Sequence, residues 1–473
     1  MTKRYLLHTL AAIGISAGIS SCSRMLDVKP VDQVDESKIF SSVQTLNKAV
    51  LGVYADWQAE NTLRTGSVMA DECSIGPKNA GVNGSAQNLF RWSYAAADKE
   101  ITDPWVNAYQ VINRANRLLE GIDKVPATSQ TDEKTKQHMK GELLAIRAFE
   151  HFELYRNYSY AGIYDAATWA VPYVTVSNID NKPGRPTAAD FFSEMNKDVT
   201  TALTLIDDGK DITRMQQNAV YALRARAALY TRNWGVAAES AGKVTDNVPL
   251  AAPEEFPKIW TDQSDAEVLF RLKRNSSSSL RPGDIWKNIS LGVVYFAPSR
   301  KLLNTYDKVN DIRYPCYFDY DETLVSNGQP GDVIKKYAGA QGAENLNDLK
   351  MFRVSEMYLI RAEALLQQGD IAAAATDLNT LRSKRIRNYV PQSFKDQQQL
   401  QQEILLERFR ELPFEGHRYY DLKRMGLPIE RNQEDTGGSD GTTLQPADLY
   451  YYLPVPQAEI LANPNLRPNN KGW

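Results

Sequence analysis

Acidic residues recur every four positions in the C-terminal part of this sequence, and their type and spacing suit chemistry. They are Glu403, Glu407, Glu411 and Glu415, followed by His417 and Asp421. Carboxylates four apart share one helix face, with Cβ atoms about 5–6 Å apart, and two at such a separation could act on a glycosidic bond. Glycosidase carboxylates approach the bond from opposing sides, whereas Arg408 and Arg410 interleave with these. The pattern favours a structural ion-pair network, and a glycoside hydrolase using Glu407 and Glu411 is the alternative.

Other signatures of catalysis or cofactor binding are missing from the sequence. The histidines do not have the H-x-x-x-H spacing of a metal site. The match to G-x-S-x-G at 14–18 lies in an apolar segment where no strand-to-helix turn can form around the serine. No glycine motif for phosphates or dinucleotides is present. We therefore predict a protein that is not an enzyme, with no catalytic residues, no cofactor and no assigned metal site.

Two features leave alternatives open. The acidic turn Asp319-Tyr320-Asp321-Glu322 could hold a calcium ion. It lacks the ligand alternation and the glycine of a dedicated calcium loop, so we interpret it as a solvated turn.

Cys73 and Cys316 could pair in an oxidising compartment or remain free, and the sequence does not decide between these states.

The aromatic residues favour rings with a polar edge. The sequence has 8 Trp and 24 Tyr against 14 Phe. Several lie in segments rich in Gly, Pro, Asn and Ser, namely Trp92, Tyr94, Trp286 and Tyr295. Such rings suit the faces of sugars, which present C–H patches bordered by hydroxyl groups. Packing in the protein core is the alternative interpretation.

Apolar residues at helical spacing predict helices over 105–122, 137–158, 219–232, 236–245, 356–368 and 371–387. Aligning Asn233 with Gly369 matches Ala228 to Ala364 and repeats the pattern on both sides. Small residues at a helix crossing, with a short polar turn between the helices, resemble tetratricopeptide units. The long irregular segments between these blocks are predicted to form the working surface.

The N-terminus resembles a bacterial lipoprotein leader. Lys3 and Arg4 precede an apolar run that ends in Ser20-Ser21-Cys22, which predicts a signal peptide over 1–21 and lipidation of Cys22. A plain secretory signal is the alternative. No later apolar run reaches the roughly 20 residues of a spanning helix, so we expect a soluble body tethered to a membrane. The net charge of −3, with both signs interspersed, argues against a nucleic-acid partner.

Longer motifs resemble the SusD/RagB family of outer-membrane nutrient-binding lipoproteins. The first are Cys22 with Leu26-Asp27-Val28-Lys29-Pro30, and Trp105, Tyr109 and Ile112-Asn113-Arg114-Ala115-Asn116. The later ones are Phe352 to Leu359 with Ala362-Glu363-Ala364, Leu378-Asn379 with Leu381-Arg382, Glu407-Arg408 through Glu415-Gly416-His417-Arg418 to Asp421-Leu422, and Leu453-Pro454-Val455-Pro456 with Asn463-Pro464. The resemblance spans essentially the whole chain in the family's order.

The resemblance implies an all-α fold of tetratricopeptide-like helix pairs, forming a right-handed superhelical scaffold with long loop insertions and a few short strands. Residues 22–473 would form one unit. Its scaffold would occupy about 36–65, 101–245 and 351–427, and its ligand and partner loops about 66–100, 246–350 and 428–473. Such proteins bind oligosaccharides at the cell surface, anchored in the outer membrane, and deliver them to a SusC-like TonB-dependent transporter without catalysis. A tetratricopeptide-like adaptor that binds only protein is a further alternative.

The family's pocket loops correspond to the segment after Asp71-Glu72-Cys73 and to the segment before Pro298-Ser299. The resemblance therefore implies ligand contacts from Asp71, Asn79, Asn83, Trp92, Trp286 and Tyr295. Residues 74–88 contain no Trp, which departs from the aromatic platform of starch-binding members. We expect the Trp and Tyr rings to stack on a glycan other than starch and the Asn and Asp side chains to bind its hydroxyl groups.

Overall fold

The computed structural model describes residues 36–278, 280–438 and 441–473. The predicted leader over 1–21 and Cys22 lie outside these residues. The α-helices are α1 Glu36–Ile39, α2 Val43–Ala55, α3 Glu60–Val68, α4 Gln87–Phe90, α5 Lys99–Ile122, α6 Gln130–Tyr158, α7 Ala188–Leu205, α8 Gln217–Tyr230, α9 Trp234–Thr245, α10 Phe256–Ile259, α11 Arg300–Leu303, α12 Tyr314–Tyr317, α13 Glu322–Ser326, α14 Val354–Gln367, α15 Ile371–Arg385, α16 Gln397–Glu411, α17 Arg418–Met425 and α18 Gln457–Ala462.

The strands are short and pair only two at a time within the described residues. They are β1 Cys73–Ile75, β2 Val268–Leu272, β3 Lys287–Asn288, β4 Val293–Val294, β5 Phe296–Pro298, β6 Phe318–Tyr320, β7 Asp332–Ile334, β8 Gly339–Ala340, β9 Ala343–Glu344, β10 Leu349–Arg353, β11 Ile429–Glu430 and β12 Thr443–Leu444. All of these pairs are antiparallel: β1 with β5, β2 with β10, β3 with β4, β6 with β7, β8 with β9 and β11 with β12. The predicted all-α class with a few short strands is confirmed.

The two copies of the predicted repeat, α8–α9 and α14–α15, share one turn geometry. Asn233 precedes α9 and accepts a hydrogen bond from the N–H of Val236, and Asp370 precedes α15 and accepts one from Ala373. The backbone angles agree closely, with φ −83° and ψ 76° at Asn233 against φ −88° and ψ 75° at Asp370. A side-chain oxygen at this position satisfies an N–H group that the first turn leaves open.

Helix α9 packs against both α8 and α14, so the two copies are neighbours in space although they are distant in sequence. Ala228, Ala237, Ala364 and Ala374 are buried at these crossings. Small side chains let helix axes approach closely, which explains why alanine recurs there. The tetratricopeptide-like pairing is therefore confirmed.

Helices α5 and α6 form the other long pair. The buried residues of α5, including Ile101, Trp105, Ala108 and Ile112, follow one face at helical spacing. In α6, every residue from 141 to 158 is buried, as expected for a helix covered on all sides. The helix begins at Gln130, earlier than the apolar pattern predicts, because Ser129 caps it by accepting a hydrogen bond from Asp132.

Residues 159–187 connect α6 to α7 without helix, inside a block predicted as scaffold. This segment contains Pro172, Pro183 and Pro186, which lack the N–H that helices and ladders need.

Cys73 and Cys316 are both free thiols in this structure. Among the described helices, none combines the length and apolar character needed to cross a membrane.

A buried ion-pair network joins the scaffold to the insertions. Its carboxylates and cations are Glu267, Asp311, Glu407, Glu411 and Glu415 with Arg313, Lys336, Arg353, Arg382 and Arg385. Glu407 lies 2.6 Å from Arg313, and Glu411 lies 2.9 Å from Arg353 and 3.0 Å from Arg385. The predicted structural network is confirmed.

Burial opposes ionisation of Glu407, but the charges of Arg313 and Arg382 lower its pKa to about 2. The pKa of Glu411 is likewise held well below its usual range, since Arg385 and Arg353 outweigh the effect of burial. Both carboxylates are fully buried. Their arginine partners therefore hold both carboxylates in the charged form near neutral pH.

Candidate functional site

A cavity of about 430 Å³ opens between the β3–β4 hairpin and the segment from β6 to β8. Its apolar lining comes from Trp286, Val294, Phe296, Val333, Ile334 and Tyr337. Its charged lining comes from Lys287, Asp319, Asp321, Glu322 and Lys335. We call this cavity the Trp286 pocket. An apolar floor with a few polar groups around it is the usual make-up of a small-ligand site.

Trp286 is held by the hairpin that follows it. Its carbonyl oxygen accepts hydrogen bonds from the N–H groups of Tyr295 and Phe296, at 2.8 and 3.1 Å. Its ring meets that of Phe414 edge to face, with centroids 5.3 Å apart. The side chain is 2% exposed, and its indole N–H has no hydrogen-bond partner within the described part of the chain. A buried donor without a partner is costly unless something pairs with it.

The back wall of the pocket depends on a close approach at Gly283. A Cβ atom there would lie 2.4 Å from the carbonyl oxygen of Tyr337 and 2.6 Å from the Cα atom of Asn345. Asn345 is fixed in turn, because its amide donates to the carboxylate of Asp284 and to the carbonyl of Lys287. Only glycine fits between the two walls at this point.

Ion pairs attach the outer wall of the pocket to the scaffold. Lys336 is fully buried, donates to Glu415 at 2.7 Å and to the carbonyl oxygen of Pro413, and lies 4.0 Å from the ring centroid of Tyr317. Burial lowers its pKa to about 8 despite the nearby Glu415. Its neighbour Lys335 points outward and lines the pocket. Because successive side chains point to opposite sides here, Lys335 lies at the rim of the pocket and Lys336 in the framework.

The acidic turn at 319–322 forms the rim opposite Lys287. Tyr320 is 62% exposed and pairs through its backbone with Asp332. Asp321 accepts hydrogen bonds from the hydroxyl and the N–H of Thr323 at the start of α13, and these bonds lower its pKa. The nearest cations stand at the edge of ion-pair distance, with Lys335 3.9 Å from Asp319 and Lys287 4.0 Å from Asp321.

Two of the sequence-predicted site residues lie at or beside the pocket. Trp286 lines it, and Tyr295 follows on the same hairpin, where its hydroxyl accepts a hydrogen bond from Asn288 at 2.9 Å. The carbonyl oxygen of Tyr295 accepts from the Asn79 amide and from the N–H of Gly76. The two loops that the resemblance implies therefore contact each other.

The remaining predicted residues are mostly engaged within the protein. Asn79 is buried and also accepts a hydrogen bond from the N–H of Ser85, which stabilises the loop over 76–85. Asn83 is exposed in the 3-10 turn Gly81–Asn83. Their contact with a ligand stays a prediction, with Asn83 the accessible member of the two.

Asp71 and Trp92 have framework contacts. Asp71 is 1% exposed and receives two hydrogen bonds from Arg418, with Lys301 at 2.8 Å. Trp92 donates its N–H to the carbonyl of Met69 and packs beneath the guanidinium of Arg431. Neither lines the Trp286 pocket.

Sequence reasoning missed Tyr320, Tyr337, Lys287 and Lys335 as pocket residues. The acidic turn was the available signal, and its interpretation as solvated agrees with the exposure of Asp319, Tyr320 and Glu322. Its partners across the cavity are remote in sequence and carried no motif. In the residues that the structure describes, no three His, Cys, Asp or Glu side chains are grouped to hold a metal ion.

Two other surface cavities have similar volumes. One, of about 430 Å³, is mostly apolar and lies between α5 and the 172–183 segment, and one of about 450 Å³ is lined largely by glutamines of α16. The first of these also combines aromatic rings with charges of both signs, from Trp105, Tyr109, Lys182 and Glu459. The Trp286 pocket differs from both because all of its lining residues belong to the insertion predicted over 246–350.

Each half of the chain matches a known protein family. Residues 274–473 match a family described as SusD family, and residues 24–229 match one described as starch-binding associating with outer membrane. The two matches follow one another along the chain and leave residues 1–23 and 230–273 unmatched.

Individual relatives agree. SusD-like protein P2 of Formosa agariphila is 25% identical and aligns over 100% of both chains. Starch-binding protein SusD of Bacteroides thetaiotaomicron is 34% identical over 125 residues, which are 26% of this chain and 21% of that protein. The crystal structure of a SusD superfamily protein from Bacteroides thetaiotaomicron superposes with a TM-score of 0.80 at 25% identity, covering 90% of this chain and 99% of that one. The chain belongs to the SusD/RagB family.

Proposed function

We propose that this chain binds an oligosaccharide in the Trp286 pocket. The observation that carries the proposal is a cavity lined by the exposed ring of Tyr320, by the buried Trp286 and by a charged rim, on the insertions of a SusD-family scaffold. Aromatic faces match the C–H patches of a sugar ring, and donors at the ring edge match its hydroxyl groups. The starch-binding names of the matched family and of the Bacteroides relative support a saccharide ligand.

Binding without turnover is the second part of the proposal. Glu407 and Glu411 are buried and ion-paired, so neither can reach a glycosidic bond or exchange a proton with it near neutral pH. A hydrolase would need two accessible carboxylates on opposite sides of the bond. The burial of Glu407 and Glu411 argues against the hydrolase alternative that uses these two residues.

The third part is location and delivery. We expect lipidation of Cys22 to tether the chain to the outer membrane, facing the cell exterior, where it passes its ligand to a SusC-like TonB-dependent transporter. The outer-membrane description of the matched family supports this location. Replacing Cys22 by Ala should release the protein from membrane fractions, and its retention there would contradict the lipid anchor.

Calorimetric titration with a panel of neutral oligosaccharides tests the binding site. Tyr320→Ala removes an exposed ring of the pocket and should weaken binding about tenfold, a typical loss for one stacking contact. Trp169→Ala is the matched control, because Trp169 is 49% exposed and does not line the pocket. Equal affinity of both variants would contradict the assignment.

The same samples test the competing functions. Chromatography of the ligand after prolonged incubation should show no new products, and cleavage would favour a hydrolase. A protein that assembles with the transporter but binds no saccharide of the panel would instead support the adaptor alternative.

A further inference from the structure

The charges around the Trp286 pocket are nearly balanced, with an acidic excess. Lys335 faces Asp319 at 3.9 Å and Lys287 faces Asp321 at 4.0 Å. Glu322 also lines the pocket and forms no ion pair among the described residues. The rim thus carries one more carboxylate than ammonium groups.

This arrangement disfavours an acidic ligand for two reasons. Each lysine already has a carboxylate opposite it, so a uronate or sulfate would have to compete for the cation. The described residues that line the pocket include no arginine, the side chain that holds carboxylates and sulfates through two parallel hydrogen bonds.

The same arrangement suits an uncharged or basic sugar. The apolar lining, with Trp286 and the exposed ring of Tyr320, offers contact surface to a sugar ring without requiring a charge on the ligand. The carboxylate of Glu322, which forms no ion pair among the described residues, can accept hydrogen bonds from hydroxyl groups and attract an ammonium group.

We infer that the Trp286 pocket selects saccharides without acidic groups and holds one bearing a free amine more tightly than its neutral counterpart. This inference rests on the proposed function, because it specifies the ligand class of the same site. The excess carboxylate of Glu322, beside the two loosely paired lysines, sets the preference.

Matched oligosaccharides test the inference. Hexamers of β-1,4-linked glucose, glucosamine and glucuronate, with the corresponding α-1,4-linked set, are titrated into the protein at low salt. In the set that binds, the uronate should bind at least about fivefold more weakly than the neutral hexamer and the amine about fivefold more tightly. Raising the salt should shrink both differences, because exposed charges are screened. A uronate that binds as tightly as the neutral hexamer overturns the inference.

Two variants give shifts of opposite sign. Glu322→Gln should reduce the preference for the amine, and Lys335→Gln should increase it. Glu254→Gln, at an exposed position outside the pocket, is the control and should leave the preference unchanged. Preferences that do not respond to either rim variant place the selectivity elsewhere and overturn the inference.

The outcomes separate this inference from the proposed function. If neutral and acidic hexamers bind equally and Tyr320→Ala weakens both, the site stands and the charge selectivity fails. If no hexamer of either set binds, both fail.

Discussion

The buried network around Glu411 and the rim of the Trp286 pocket are built from the same kinds of side chain, with opposite consequences. In the network, carboxylates and guanidinium groups lie 2.6–3.2 Å apart and are buried. At the rim, the corresponding pairs stand 3.9 and 4.0 Å apart and remain exposed. Charges that saturate one another fix the structure, whereas charges that are loosely paired remain available to a ligand.

Removing a carboxylate from the buried network should lower the stability of the protein more than any of the other substitutions proposed. Glu411→Gln removes the buried carboxylate that Arg313, Arg353 and Arg385 share, so the remaining carboxylates no longer balance these cations, and it should destabilise the protein by about 3–5 kcal/mol. Denaturant unfolding measures this loss. Glu403→Gln is the matched control on the same helix, because Glu403 is 30% exposed and, among the described residues, pairs with Arg382 alone, so its cost should be below about 1 kcal/mol. Equal costs for the two variants would refute the distinction between buried and exposed pairs.

Glu72 is a third kind of carboxylate: it is buried like those of the network, but it forms no ion pair within the described residues. Burial raises its pKa to about 8 from 4.5, although the N–H of Phe414 donates to it. The folded state therefore binds an extra proton between these pH values, and this group makes stability fall as the pH rises through that window, by at most about 1.4 kcal/mol per pH unit.

Glu72→Gln replaces this titrating carboxyl group by a neutral amide. The free energy of unfolding of the variant, relative to that of the natural protein, should therefore rise between pH 5 and pH 8, as measured by unfolding at each pH. Glu322→Gln is the control, and its difference should stay flat across the same range. A flat difference for Glu72→Gln as well would show that its carboxyl group is not held protonated.

Trp286→Phe keeps a ring in the pocket but removes the N–H group, which has no hydrogen-bond partner in the described part of the chain. If that group donates to the ligand, affinity should fall about tenfold, the value of one hydrogen bond of about 1.4 kcal/mol. Trp260→Phe is a matched control, because its N–H is also buried without a partner but its ring does not line the pocket. Calorimetry should show a loss for the first variant alone, and unchanged affinity would remove Trp286 from ligand recognition.

Neutralising a rim carboxylate should have the smallest consequence for folding. Glu322→Gln should change the free energy of unfolding by no more than about 0.5 kcal/mol, since the side chain is exposed and forms no ion pair in the described structure. A cost close to that of Glu411→Gln would mean that the rim is part of the framework.

Helix positions were predictable from sequence because helical periodicity is local. Helices α8, α9, α14 and α15 begin and end within about two residues of their predicted limits. The repeat was also visible, since the same alanines and the same cap position recur. Residues 159–187 were harder to read, because their prolines interrupt a block whose flanks are strongly helical.

The site was only partly predictable. Trp286 and Tyr295 were identified from their residue type and from family resemblance, and the structure brings both together with the loop of Asn79. Asp71 has the right chemistry for a hydroxyl partner, but its ion pairs with Arg418 and Lys301 depend on segments more than 200 residues away in the chain. Whether a polar side chain is free or engaged cannot be read from its neighbours in sequence.

The order of residues fixed the helices, the repeat, the family and the supply of charges, because each depends on local spacing or composition. It did not fix which charges face inward or which loops form a cavity. Those features follow from the pairing of β1 with β5 and β6 with β7, and from Arg313 and Lys336 binding glutamates of the scaffold. Such contacts join distant segments, so burial, and with it the division between framework and binding surface, exists only in the folded chain.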